Sequence, residues 1–158
     1  MIAGVKIKKL KVHRDVPDLK QKVKPGYLME VLRADDPFFK KFGQTTFTVA
    51  YPGTIKAFHW HRWQDDLWFV ATGKAKIVLY DRRKNSKTYR QKQIIEAGED
   101  NWKLIVIPRG VVHGYKVVGR KPVLLFYHTT RPYNKNKPDE ERIPPDDPEI
   151  GIDWKKIK

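Results

Sequence analysis

Gly53-Thr54-Ile55-Lys56-Ala57-Phe58-His59-Trp60-His61-Arg62-Trp63-Gln64-Asp65-Asp66-Leu67-Trp68-Phe69-Val70-Ala71-Thr72-Gly73 is the stretch that decides the fold. Its landmarks are a glycine, a His-x-His pair, a carboxylate and a second glycine, at Gly53, His59, His61, Asp66 and Gly73. Residues two apart on a strand point to the same face, so His59 and His61 are expected to share a surface. A second half follows at Pro108-Arg109-Gly110-Val111-Val112-His113. A His-x-His alone arises easily by chance. The flanking glycines and the later Pro-x-Gly-x-x-His make the combination specific.

Working outward, the apolar segments are short and divided by turn residues: 45–53 (TTFTVAYPG), 66–81 (DLWFVATGKAKIVLYD), 103–110 (KLIVIPRG) and 115–130 (YKVVGRKPVLLFYHTT). Consecutive short strands with Gly or Pro between them predict an antiparallel barrel or jelly roll. Residues 71–74 and 118–122 read as hairpin connections. A short helix is expected only at Asp35–Phe42. From Asn134 to Trp154 repeated prolines exclude a continuous strand or helix, and Ile143, Ile150, Ile152 and Trp154 suggest a tail that packs over the barrel.

A chain of 158 residues is expected to form one domain with a sizeable core. An N-terminal arm with strands covers 1–24, and an irregular tail covers 134–158. There is no cysteine, which fits a reducing compartment. The N-terminus has no signal-like apolar run, and no stretch reaches the roughly 18 residues of a membrane span. A soluble cytoplasmic protein with no membrane partner is the expectation. The net charge of +15 is uneven: residues 1–137 hold 29 Lys and Arg against 11 Asp and Glu, while 138–154 hold one Arg against seven acids. A basic body suits an anionic ligand. No recognised module points to nucleic acid.

The two halves together resemble the paired motifs of the cupins, which implies an all-β jelly-roll barrel (a double-stranded β-helix) with three His and an acid in its mouth. Within that superfamily the order of landmarks resembles the dTDP-4-dehydrorhamnose 3,5-epimerase family. The resemblance rests on Gly26-Tyr27-Leu28-Met29-Glu30, Gln44, Lys56-Ala57-Phe58-His59-Trp60-His61, the Asp81–Thr88 run, Ile107–Tyr115, Tyr127–Tyr133, and Glu141 with Asp147–Ile152 and Trp154. It implies an epimerase or isomerase acting beside the ketone of a dTDP-4-keto-6-deoxy sugar, without a cofactor and as a homodimer. His59 takes the place of the base and Tyr133 that of the acid; Gln44, Lys56, His61 and His113 fall among the substrate-binding positions. Lys56 stands where the family has a phosphate-contacting Arg, keeping the charge but losing the bidentate fork. For His113 the resemblance suggests contact with ligand or with a neighbour, Asp81 among the candidates.

Departures from the family pattern keep two other readings open. Asp66 aligns where the family carries a Lys, and His61 replaces a Gln. His59, His61, Asp66 and His113 therefore also compose a ligand set for a divalent metal, the site of a metal-dependent cupin enzyme. A sugar-binding cupin without catalysis is the third reading. Trp60, Trp63, Trp68 and Trp102 suit core packing as well as stacking on a base or sugar, and Tyr133 is as plausible in a core as in a site.

Overall fold

A computed structural model describes residues 1–17, 20 and 24–158. Among these the regular structure is entirely β. The strands are β1 (Lys6–Lys9), β2 (His13–Arg14), β3 (Tyr27–Leu28), β4 (Gln44–Ala50), β5 (Ile55–His61), β6 (Asp66–Thr72), β7 (Lys74–Asp81), β8 (Lys92–Gly98), β9 (Lys103–Ile107), β10 (Val111–Val118), β11 (Val123–Thr129) and β12 (Glu140–Arg142). Two five-stranded antiparallel sheets run in the orders β1-β9-β6-β11-β4 and β12-β5-β10-β7-β8. A small pair, β2 and β3, stands apart from them.

The core lies between the two sheets. Trp68 and Val70 of β6, Ile105 and Ile107 of β9 and Leu125 of β11 meet Ala75, Ile77 and Leu79 of β7 and Val111, Tyr115 and Val117 of β10. The intervening residues face outward, yet many are apolar, because the outer faces are covered too. Leu67, Phe69, Leu104 and Val106 are roofed by Leu10, Met29, Val31, Leu32, Phe38 and Trp102. On the other sheet Phe58, Val78, Tyr80 and Val112 lie under Ile143, Ile150, Ile152, Trp154 and Ile157. Strands buried on both sides read as continuous apolar runs, which accounts for segments such as Leu-Ile-Val-Ile at 104–107.

Three local expectations are corrected. The connections at 71–74 and 118–122 are not hairpins: β6 and β7 belong to different sheets, as do β10 and β11. Each carries the chain across the sandwich. Gly73 makes the first crossing with φ +68°, and a Cβ there would lie 2.4 Å from the Pro122 carbonyl oxygen. The short helix over Asp35–Phe42 is a series of turns; Asp36 instead accepts the Arg33 amide and the Lys8 ammonium, a local bonding option that competes with helix. Of the N-terminal arm, β1 pairs with β9 and β2 with β3, while residues 18, 19 and 21–23 lie outside those described. Among the described residues no helix is long and apolar enough to cross a membrane.

Candidate active site

Strand β5 brings two imidazoles to the barrel mouth because His59 and His61 are two apart on one strand. Alternation would put Lys56 on the opposite face from both. A bulge prevents this. Opposite β10, His113 pairs with His59 but Tyr115 pairs with Lys56, so β5 spends one extra residue there and its facing flips. Lys56, His59 and His61 consequently line one cavity. Gly114 of β10 makes room: a Cβ there would lie 2.5 Å from the Ala57 Cβ.

The cavity has a volume of about 1330 Å³. Its floor holds His59, His61, Asp66, Trp68, Tyr115 and Tyr127, and its rim holds Lys41, Arg131, Tyr133 and Lys137. His113 stands just behind, its ring centroid 4.2 Å from that of His59. Asp66 comes from the facing sheet, and its Oδ2 lies 3.6 Å from Nε2 of both His61 and His113. Gln64 donates its side-chain amide to Asp66 Oδ1 at 2.9 Å, and the Trp68 indole N–H reaches Oδ2 at 3.2 Å. The partner of His113 is therefore Asp66 and not Asp81, whose carboxylate is occupied by Arg83, Ser86 and Thr88.

Burial sets the electrostatics. It pushes the His59 imidazolium down to about 2, helped by His113, so the ring is neutral and can accept a proton. For His61 burial opposes the charged form, but adjacent Asp66 outweighs it and raises the affinity for a proton. Burial would also raise the Asp66 carboxyl; His113 and His61 reverse this and hold it well below the usual carboxylate range. Tyr115 is pushed up to about 12 by burial, and its hydroxyl has no hydrogen-bond partner.

The remaining expected residues occupy the rim or mouth. Gln44 bonds within the protein: its Oε1 accepts the Tyr133 backbone N–H at 2.6 Å and its Nε2 donates to Thr46. Tyr133 is 66% exposed. The Lys56 ammonium donates to Thr48 Oγ1 at 2.7 Å and to the Val49 carbonyl. Trp63 lines the cavity with the Lys137 ammonium over its ring. Trp60 faces outward under the Arg82 guanidinium, and Trp102 packs on Tyr27.

Sequence reasoning missed Asp139. Its carboxylate accepts the backbone N–H groups of Arg62, Trp63 and Gln64, clamping the loop between His61 and Asp66. An acid in a Pro-rich acidic tail carries no such signal from spacing alone. Gln64 and Tyr115 were missed likewise.

A neutral imidazole and several tyrosines in a deep cavity between two β-sheets, under a rim of cations, define a proton-transfer site for a small anionic substrate. The comparisons agree with that class. A family model described as dTDP-4-dehydrorhamnose 3,5-epimerase matches residues 2–158, and the chain belongs to that family. It is 48% identical over 154 residues to the spore coat polysaccharide biosynthesis protein SpsL of Bacillus subtilis, covering 98% of this chain and 97% of that one. It is 34% identical to the probable low-salt glycan biosynthesis epimerase Agl13 of Haloferax volcanii, over 97% of this chain and 94% of that one. Among solved structures, a dTDP sugar isomerase from Desulfovibrio desulfuricans G20 superposes with a TM-score of 0.85 at 29% identity, covering 98% of this chain and 93% of that chain.

Proposed function

We propose that the protein is a sugar-nucleotide epimerase acting beside the ketone of a dTDP-4-keto-6-deoxy sugar in polysaccharide or glycan biosynthesis. The observation that carries this reading is the neutral, cavity-facing imidazole of His59. His59 takes the proton from the carbon next to the ketone, leaving an enolate. Tyr133, on the rim of the same cavity, returns a proton to the other face. A neutral imidazole accepts a proton and a phenol donates one, the pairing that the two transfers require. Lys56, with Lys41, Arg131 and Lys137 at the mouth, meets the diphosphate, and Gln44 positions Tyr133. Epimerases of this family act without a cofactor, and no step here needs one.

The enzyme acts in the cytoplasm as a homodimer in this reading. The absence of cysteine fits the compartment. The exposed Phe47, Val49 and Tyr51 at the outer edge of the first sheet fit a subunit contact.

The test is solvent deuterium exchange. Incubated in D₂O with a dTDP-4-keto-6-deoxy sugar, the wild type incorporates deuterium beside the ketone, and His59→Ala does not. Tyr133→Phe retains part of the exchange but yields little inverted product. Exchange that persists in His59→Ala would overturn the assignment of the base.

A further inference from the structure

The Tyr115 hydroxyl has no hydrogen-bond partner, although the residue is only 3% exposed. A phenylalanine would fill the same space at no such cost, since leaving a buried hydroxyl unsatisfied costs about 1–3 kcal/mol. An atom of this kind calls for a role. Tyr115 lines the cavity, and Trp68 of the facing sheet packs against both Tyr115 and the base. The Trp68 ring centroid lies 5.7 Å from that of Tyr115 and 5.9 Å from that of His59. Tyr115 and His59 therefore serve the same part of the cavity.

Epimerisation creates a demand that the other groups do not meet. As His59 takes the proton, the C–H electron pair forms the enolate double bond and the carbonyl π pair moves onto oxygen, which becomes negative. Asp66, the ionised group at the floor, has the wrong sign to stabilise that charge. The donors around it are already engaged. Gln64 and the Trp68 indole bond to Asp66, and His61 faces it. Gln44 donates to Thr46, and Lys56 to Thr48 and the Val49 carbonyl. Tyr115 is unspent, and burial, which pushes its pKa up to about 12, keeps the proton on its oxygen.

We propose that Tyr115 is a catalytic residue of the epimerase, its hydroxyl donating a hydrogen bond to the ketone oxygen and holding the enolate that His59 generates. The inference rests on the epimerase reading given above. No proton leaves Tyr115. Its hydrogen bond shortens as the oxygen gains charge, and relaxes when Tyr133 returns a proton to carbon and the carbonyl reforms. A fixed donor in a water-excluded site acts most strongly where charge develops. The hydroxyl is enclosed, and an arriving oxygen reaches it by a small movement of the floor. Tyr115 follows the register shift that separates it from His113, where β10 is least tied to β5, and a broken ladder of this kind lets a side chain be re-aimed.

The test is Tyr115→Phe in the full chain, which removes one oxygen and keeps the ring. The variant is expected to unfold at the wild-type temperature or above it, because it sheds an unsatisfied hydroxyl. Deuterium exchange into a dTDP-4-keto-6-deoxy sugar and formation of inverted product should both fall in kcat by about 10²-fold. The two fall by the same factor because both pass through the enolate, whereas Tyr133→Phe separates them. Affinity for dTDP, measured by calorimetry, is unchanged. Wild-type exchange in the folded variant overturns the proposal, and so does a loss explained by weaker dTDP binding. A clear drop in Tm would show the hydroxyl bonded within the protein and overturns it too. The epimerase reading is judged separately: exchange that requires His59 but not the Tyr115 hydroxyl overturns only this proposal, while a wild type without exchange overturns the epimerase reading and this proposal with it.

Discussion

Asp139→Asn tests whether the tail holds the catalytic loop. One Asp139 oxygen accepts from Arg62 and Trp63 and the other from Trp63 and Gln64, at 2.9 to 3.3 Å. Asparagine keeps the shape but replaces one oxygen with an NH₂ and removes the charge. Whichever way the amide sits, at least one backbone N–H loses its acceptor. A hydrogen bond to a charged group contributes about 1.5–3 kcal/mol. Arg62 and Trp63 are exposed and hydrate when released, whereas Gln64 is buried and its N–H cannot. The amide therefore keeps its oxygen on Gln64 and turns its NH₂ toward Arg62, and the net loss of about 2 kcal/mol comes from the lost charge and the lost Arg62 bond. For a chain of this size that lowers Tm by about 4–8 °C. Urea unfolding should show an earlier midpoint with an unchanged slope. Because Gln64 also holds Asp66, deuterium exchange into substrate should slow as well. A Tm within about 1 °C of wild type, with wild-type exchange, would show that the loop is held by something other than Asp139.

Three further outcomes follow from the packing. Asp81→Asn removes the shared acceptor of Arg83, Ser86 and Thr88 and should cost about 3 kcal/mol at pH 7. Burial opposes the Asp81 charge, but those donors win and lower its folded pKa; its stabilisation is thus full above the unfolded value near 4 and is lost as pH falls toward the folded one, so the Tm gap between wild type and variant should narrow from pH 7 to pH 3. Trp154→Ala deletes the ring that stacks on Phe58 at 5.3 Å and donates to Pro145, and chemical denaturation should register a loss of about 3 kcal/mol. Gly114→Ala forces β10 away from Ala57, costing about 1–3 kcal/mol; calorimetry should also show weaker dTDP binding, because the bulge that turns Lys56 toward the cavity is disturbed.

The sheet class and the His cluster were legible because they rest on period and spacing. His59 and His61 share a face by strand geometry alone, and the Pro108-to-His113 half delivers its imidazole to the same place. What escaped was non-local. Two short Gly-containing linkers looked like hairpins, since sequence does not reveal that β6 and β7 diverge into different sheets. The facing of Lys56 depends on a bulge whose cause, the missing side chain at Gly114, lies on another strand. The Asp36 turn looked helical until its side chain was seen to serve Arg33 and Lys8. Asp139 reaches its loop across more than seventy residues of chain, a separation at which no motif has a fixed offset.

The strand crossing at Gly73 has a mechanical consequence. Since β6 leaves for the opposite sheet, Asp66 rides on one half of the sandwich while the three histidines ride on the other. The spacing of the donor atoms and the separation of the two sheets are thus a single coordinate. Whatever draws these side chains together, proton, ion or substrate, also presses the halves of the barrel toward each other. Resistance of the sandwich to opening then becomes a property that the occupant of the mouth regulates, and a core substitution far from the cavity reaches the chemistry by changing how far apart the sheets rest.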